Sequence, residues 1–223
     1  MHIPEGMLPT AQAIGWTAAS GVVLAHAVKV YRNVENNLPQ LLPLMGILGA
    51  AVFVLSMLHI PVPFTGTSAH MVGVPLATLL VGPWLSIILA LAALLLQALL
   101  LGEGGLSTLG ANLFAMGVAG SFTTYYVFLA AKRLRMGRPA AIILAALAGD
   151  LAVYVVSALQ LAPVLPGDAI FTRFVILLLA LMPLQLPVAF LEGFITLGIY
   201  NLVVQNRPTL MDELQQTMVQ EHA

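Results

Sequence analysis

Histidine stands directly after the first methionine, in the opening Met1-His2-Ile3-Pro4-Glu5-Gly6. A free terminal amine, the deprotonated amide nitrogen of His2 and the His2 imidazole can grip one metal ion, closing a five-membered and a six-membered ring. Three nitrogens held nearly in one plane suit Ni(II) or Cu(II), which favour square-planar or tetragonal nitrogen and oxygen fields. A fourth nitrogen from elsewhere in the chain would complete the plane. The chelate requires that Met1 be retained, and methionine aminopeptidase normally spares methionine before a side chain as large as histidine. No basic stretch precedes the first apolar run, so the amino terminus is expected to be the ribosomal one, without signal-peptide cleavage.

Two histidines are candidates for the fourth nitrogen. His70 ends the irregular segment Val62-Pro63-Phe64-Thr65-Gly66-Thr67-Ser68-Ala69, and His59 closes an unbroken apolar stretch. His26 belongs to the opposite end of the first apolar run and cannot reach. A histidine at position 2 is ordinarily just a histidine, and a second one on the same face is what raises the metal reading. The residues alone leave His59 and His70 both open. The chain has no cysteine, which excludes thiolate metal sites, disulfides and thiol nucleophiles. It has no phosphate loop and no His-Glu-x-x-His helix, so it is read as a non-enzyme that hydrolyses no ATP itself.

The elements that must hold these residues lie in lipid. Of the 223 residues, 60% are hydrophobic and 8% charged, with a mean hydropathy of +1.00. Soluble domains carry roughly a quarter charged residues. A chain this poor in charge cannot cover itself with a wettable surface, and its net charge of -1 leaves no footprint for nucleic acid. Apolar runs predict an all-α bundle with spans near 10–31, 38–59, 70–82, 84–101, 109–131, 139–160 and 170–206. Lys132, Arg133, Arg135 and Arg138 mark one loop as cytoplasmic by the positive-inside bias, as Lys29 and Arg32 do for the end of the first span. The loops near 60–70 and 102–108 then lie outside. The run between them must cross an even number of times, so it is expected to turn at Gly82-Pro83. Arg207 argues for an inside carboxyl terminus, which makes 170–206 one long helix kinked at Pro183 and Pro187. The expectation is about seven transmembrane helices, with the amino terminus outside and the carboxyl terminus cytoplasmic. Residues 1–206 are read as a single transmembrane metal-binding domain and 207–223 as a short cytoplasmic tail, helical over Leu210–Val219.

The opening Met1-His2-Ile3-Pro4-Glu5-Gly6-Met7-Leu8-Pro9 resembles the start of the CbiM/NikM family, nickel and cobalt substrate-specificity components of energy-coupling factor (ECF) ABC transporters. Gly66-Thr67-Ser68-Ala69-His70, Leu80-Val81-Gly82-Pro83, Leu96-Gln97-Ala98-Leu99 and Gly104-Gly105-Leu106-Ser107-Thr108-Leu109-Gly110-Ala111-Asn112 are similar to further blocks of that family. The resemblance covers residues 1 to about 120 and is mainly one of hydropathy beyond them. It implies a seven-helix subunit of the plasma membrane whose cargo, Ni(II) or Co(II), is bound by Met1, His2 and His70. It also implies partners: an ATPase pair and a transmembrane coupling protein, often with a small accessory membrane subunit. His59 has no counterpart in the family pattern. The loop lacks the cysteine associated with many cobalt-type members, so nickel is read ahead of cobalt.

Glu5, Thr67, Ser68 and Asn112 lie near these motifs as polar residues able to orient a ligand. For Glu5 and Thr67, helix or turn capping is an equal reading, and for Asn112 a bond to loop backbone is the stronger one. Gln97 is read as an interhelical hydrogen bond. Asp150 and Glu192 fall inside predicted spans, where acids are costly and often functional. They support the alternative of a proton-coupled transporter of a small organic solute, although no series of acids or partner lysines accompanies them. Ala11, Gly15 and Ala19, and again Ala141, Ala145 and Gly149, recur at four-residue spacing that allows close helix approach, within the bundle or to a partner.

Overall fold

The computed structural model describes residues 2–38, 40–57, 60–62, 67–167 and 169–221, without the side chains of 37, 61, 62, 67 and 215–221. Its elements run α1 (Thr10–Asn37), α2 (Leu41–Ser56), β1 (Ile60–Val62), β2 (Thr67–Ala69), α3 (Val74–Leu96), α4 (Leu109–Leu113), α5 (Ser121–Arg133), α6 (Arg138–Leu161), α7 (Ile170–Asn206) and α8 (Pro208–Glu221). Among the described residues five helices are long and apolar enough to cross a membrane, and α2 is a shorter apolar helix. The helical membrane bundle expected from hydropathy is the architecture found, with one short β ribbon added to it.

Gly82 has φ 80° and ψ 170°, far from helical, and Pro83 follows it inside α3. Eight residues of unbroken helix span about 12 Å. Thr78 Oγ1 and Ser86 Oγ nevertheless lie 2.9 Å apart and hydrogen-bonded, so the two halves of α3 fold back on one another at Gly82-Pro83. Ser121 at the start of α5 bonds the same Ser86 hydroxyl at 2.8 Å and ties the turn into the bundle.

The long run at the end of the chain is a single helix, α7, with Pro183 and Pro187 both inside it. Each proline lacks an N–H and strips a carbonyl four residues back of its usual partner, a loss that spanning helices tolerate where neighbouring groups compensate. Two π-helical segments, Gln97–Leu101 after α3 and Phe114–Gly120 between α4 and α5, were not legible in the apolar pattern. Nor was the ribbon in which β1 and β2 pair antiparallel, Ile60 opposite Ala69 and Val62 opposite Thr67.

The two small-residue stripes have different surroundings. Ala141 and Ala145 are buried, and a Cβ added at Gly149 would sit 3.0 Å from the Gly120 carbonyl oxygen, so that stripe packs α6 inside the bundle. On α1, Ala11 and Gly15 are exposed, with nothing within 4 Å of the space above Gly15. The carboxyl-terminal helix also departs from the simple polar tail expected of it. Met211 and Leu214 are buried, and α8 packs on α1 and α7.

Candidate metal site

The site is assembled from two irregular segments, each held by side chains of helices that flank it. The first carries His2. Ile3, fully buried, donates its N–H to Asn112 Oδ1 at 2.8 Å, and its carbonyl accepts from Asn112 Nδ2 at 3.1 Å and Thr108 Oγ1 at 2.7 Å. Asn112 on α4 thus treats Ile3 as a neighbouring strand would, meeting both halves of its backbone. Glu5 N–H bonds the Gly104 carbonyl at 3.2 Å, and Ser107 N–H bonds Glu5 Oε2 at 3.1 Å. The Ser107 hydroxyl and backbone N–H hold the Glu5 carboxyl below its ordinary 4.5.

Two glycines permit this docking. A Cβ on Gly105 would meet Glu5 Cα at 2.6 Å, and one on Gly104, whose φ is +76°, would come within 3.2 Å of Asn112 Nδ2. The Gly-Gly of the 102–108 loop therefore lets the amino-terminal segment lie flat against it.

The second segment, residues 70–73, joins β2 to α3 without regular structure. Its backbone groups must find partners elsewhere, since none belongs to a ladder. His70 N–H donates to the Tyr154 hydroxyl at 2.9 Å, and the His70 carbonyl accepts from Gln185 Nε2 at 3.1 Å and Tyr154 at 3.2 Å. Val72 and Gly73 donate their N–H groups to Glu192 Oε2 and Oε1, each at 2.7 Å. Gly73 has φ +74°, and a Cβ there would strike Val52 Cα at 2.9 Å, so glycine is needed for backbone and for space.

Between the segments the His2 and His70 rings stack, centroids 4.7 Å apart and planes 9° from parallel. They are 6% and 1% exposed. His70 Nδ1 lies 2.7 Å from the Met71 carbonyl oxygen. A carbonyl only accepts, so in this bond Nδ1 carries the hydrogen. Among the described residues no three His, Cys, Asp or Glu side chains cluster as a cation site.

The structure brings His2, His70 and Asn112 together and places Glu5 on the loop beside them, where its carboxyl is bonded by Ser107. Ser68 contributes its carbonyl, 3.4 Å from the Tyr154 hydroxyl. Met1 and His59 lie outside the described residues, as does the side chain of Thr67. Gln97 bonds Ser56 Oγ on α2 at 2.8 Å, away from the site. Asp150 accepts from Gln185 Nε2, at 2.6 Å, so both intramembrane acids are engaged in holding the His70 segment. Sequence reasoning missed Thr108, Tyr154 and Gln185. Only an unexplained polar residue in an apolar run pointed to the last two.

A family profile described as a cobalt uptake substrate-specific transmembrane region, CbiM, matches residues 2–210. A cobalt transport protein CbiM of Geobacter sulfurreducens is 40% identical over 215 residues, 96% of this chain but 62% of that relative, so the chain spans less than two thirds of its length. A protein of the same description from Sorangium cellulosum is 39% identical over 216 residues, 96% of each chain. Two crystal structures, of a truncated transition metal transporter and of a transition metal transporter, align with a TM-score of 0.82 at 29% identity. They cover 92% and 93% of this chain and 99% and 94% of their own.

Proposed function

The chain belongs to the CbiM family of cobalt-uptake substrate-specific membrane proteins, and from that premise we propose that it captures Ni(II) or Co(II) through its amino terminus, His2 and His70. It is a multi-pass protein of the plasma membrane. The observation that carries the proposal is the buried pair of stacked imidazoles, one of them with its Nδ1 bonded to the Met71 carbonyl.

The Met1 amine and the His2 amide supply two nitrogens, the His2 ring a third and His70 Nε2 the fourth. Four nitrogens in a plane favour Ni(II), whereas the relatives are described as cobalt transport proteins. Nickel is the cargo we favour on ligand field alone. Residues 1–206 act as one metal-binding membrane domain, with 207–223 as its tail. The amino terminus faces outside, where the metal is met, and the carboxyl terminus faces the cytoplasm.

The chain works as the substrate-specificity subunit of an ECF-type importer. ATP hydrolysis belongs to a partner ATPase pair, joined through a transmembrane coupling protein and, in some assemblies, a small accessory subunit. The open face of α1 at Ala11 and Gly15 supports docking of another membrane protein.

Titration of the purified full chain with Ni(II) and Co(II), beside His2→Ala, His70→Ala and His26→Ala proteins, tests this reading. The first two substitutions should each remove tight binding and the third should leave it. Equal binding by all four proteins would sink it.

A further inference from the structure

We propose that Glu192, on α7, is a positioning residue that aims the His70 imidazole; the inference rests on the metal-binding reading above. One peptide unit connects the two residues. The carbonyl of Met71 receives His70 Nδ1 at 2.7 Å, and the N–H of the same peptide, that of Val72, is held by Glu192 Oε2 at 2.7 Å. A peptide group is planar, and in the trans form its C=O and N–H point in opposite directions. Fixing the N–H therefore fixes the carbonyl, and the carbonyl fixes the ring.

The second carboxyl oxygen, Oε1, holds the next N–H, Gly73, at 2.7 Å. That bond prevents the plane from swinging about the first. Glu192 is fully buried, so water does not compete for these donors. The His70 ring is thereby oriented through α7, an element that contributes no proposed ligand of its own. Partners that orient a metal-binding histidine are worth about 10–100-fold in affinity.

The test is a double-mutant cycle with Ni(II) alone as probe, on the full chain in detergent, reading affinity and the ligand-field absorption of bound nickel. Glu192→Gln keeps one acceptor and turns the other into a donor facing an N–H. It should weaken binding about 10–100-fold and shift the absorption toward that of His70→Ala. In a His70→Ala background the same substitution should change neither quantity, because the residual amino-terminal chelate does not use the peptide plane. Glu192→Asp, with both acceptors on a shorter arm, is the second probe and should give an intermediate loss with the same dependence on His70. Wild-type affinity and absorption in both Glu192 variants would overturn the inference. So would an equal loss with and without His70, which would mark Glu192 as a support of the fold only. If the unsubstituted chain binds no Ni(II), the metal-binding reading fails and this one falls with it. If it binds and the Glu192 variants match it, this inference fails alone.

Discussion

The His2 and His70 rings lie face to face, 4.7 Å between centroids and 9° from parallel, although one belongs to the amino-terminal segment and the other to the loop before α3. Two nitrogens on one ion, each at about 2.0–2.1 Å as imidazoles take, are at most about 4.2 Å apart. Stacked rings carry their lone pairs in separate planes, so sharing an ion requires the two rings to reorient from this near-parallel arrangement. Their supports are separate: Asn112 and Thr108 hold the segment of His2, and Tyr154, Gln185 and Glu192 hold that of His70.

Removing His70 should therefore cost more than removing any residue that merely orients it. His70→Ala is expected to weaken Ni(II) binding beyond the roughly 10–100-fold typical of outer partners, while His59→Ala should change it far less. Isothermal titration of the two proteins decides the order, and a larger loss at His59 would mean the fourth ligand has been misassigned.

Asn112→Ala would strip the buried Ile3 N–H of its acceptor. An unsatisfied buried donor costs about 1–3 kcal/mol, which is about 5- to 150-fold if it falls wholly on metal affinity. Thermal unfolding with and without Ni(II) separates the two sites of loss. The metal-induced rise in melting temperature should shrink in the variant; an unchanged rise would show that Asn112 does not hold the binding conformation.

How far this was readable beforehand differs from element to element. The turn at Gly82-Pro83 and the single long helix with Pro183 and Pro187 inside it were legible, because proline, glycine and apolar length act locally. The pairing of His2 with His70 was legible as a possibility, since histidines are explicit in the chain and both were expected on the same face. The side chains that hold them were not. Glu192 meets Val72, and Tyr154 meets His70, across tertiary contacts that leave no periodic trace. Asp150 and Glu192 stood out as expensive acids, and the hydrogen bonds that offset their cost are visible only in the fold. The helix over the tail was expected, but the burial of Met211 and Leu214 by which α8 packs on the bundle was not.

Acid should release the metal through the ligands and not through Glu5. The amine and the imidazoles must lose protons to bind, so affinity falls as pH drops through the range where histidine ordinarily titrates, near 6.5. The Glu5 carboxyl is held below 4.5 in the folded chain. A depressed folded value means that its contribution is fully present above the unfolded value and is lost only as pH falls through the lowered one. Glu5→Gln is expected to shift Ni(II) affinity by a constant factor from pH 8 to 5, with no change of slope. A profile that flattens in the variant would place Glu5 among the titrating groups.

Gly105→Ala should loosen the amino-terminal segment, because the new methyl would meet Glu5 Cα at 2.6 Å. The expected result is about a tenfold or greater rise in the Ni(II) dissociation rate, in line with the cost of disturbing an outer partner. Stopped-flow chelator competition reads that rate directly, and a wild-type value would show that the segment accommodates the methyl without moving His2.

The most direct test of the central claim is the metal stoichiometry and affinity of the chain carrying its tag at the carboxyl terminus, compared with the same chain extended by a run of glycines before Met1, long enough that histidine stands neither second nor third. About one Ni(II) or Co(II) per native chain and loss of tight binding in the extended one are expected, since the extension moves the amine out of reach of the His2 ring. Equal tight binding by both chains would contradict it.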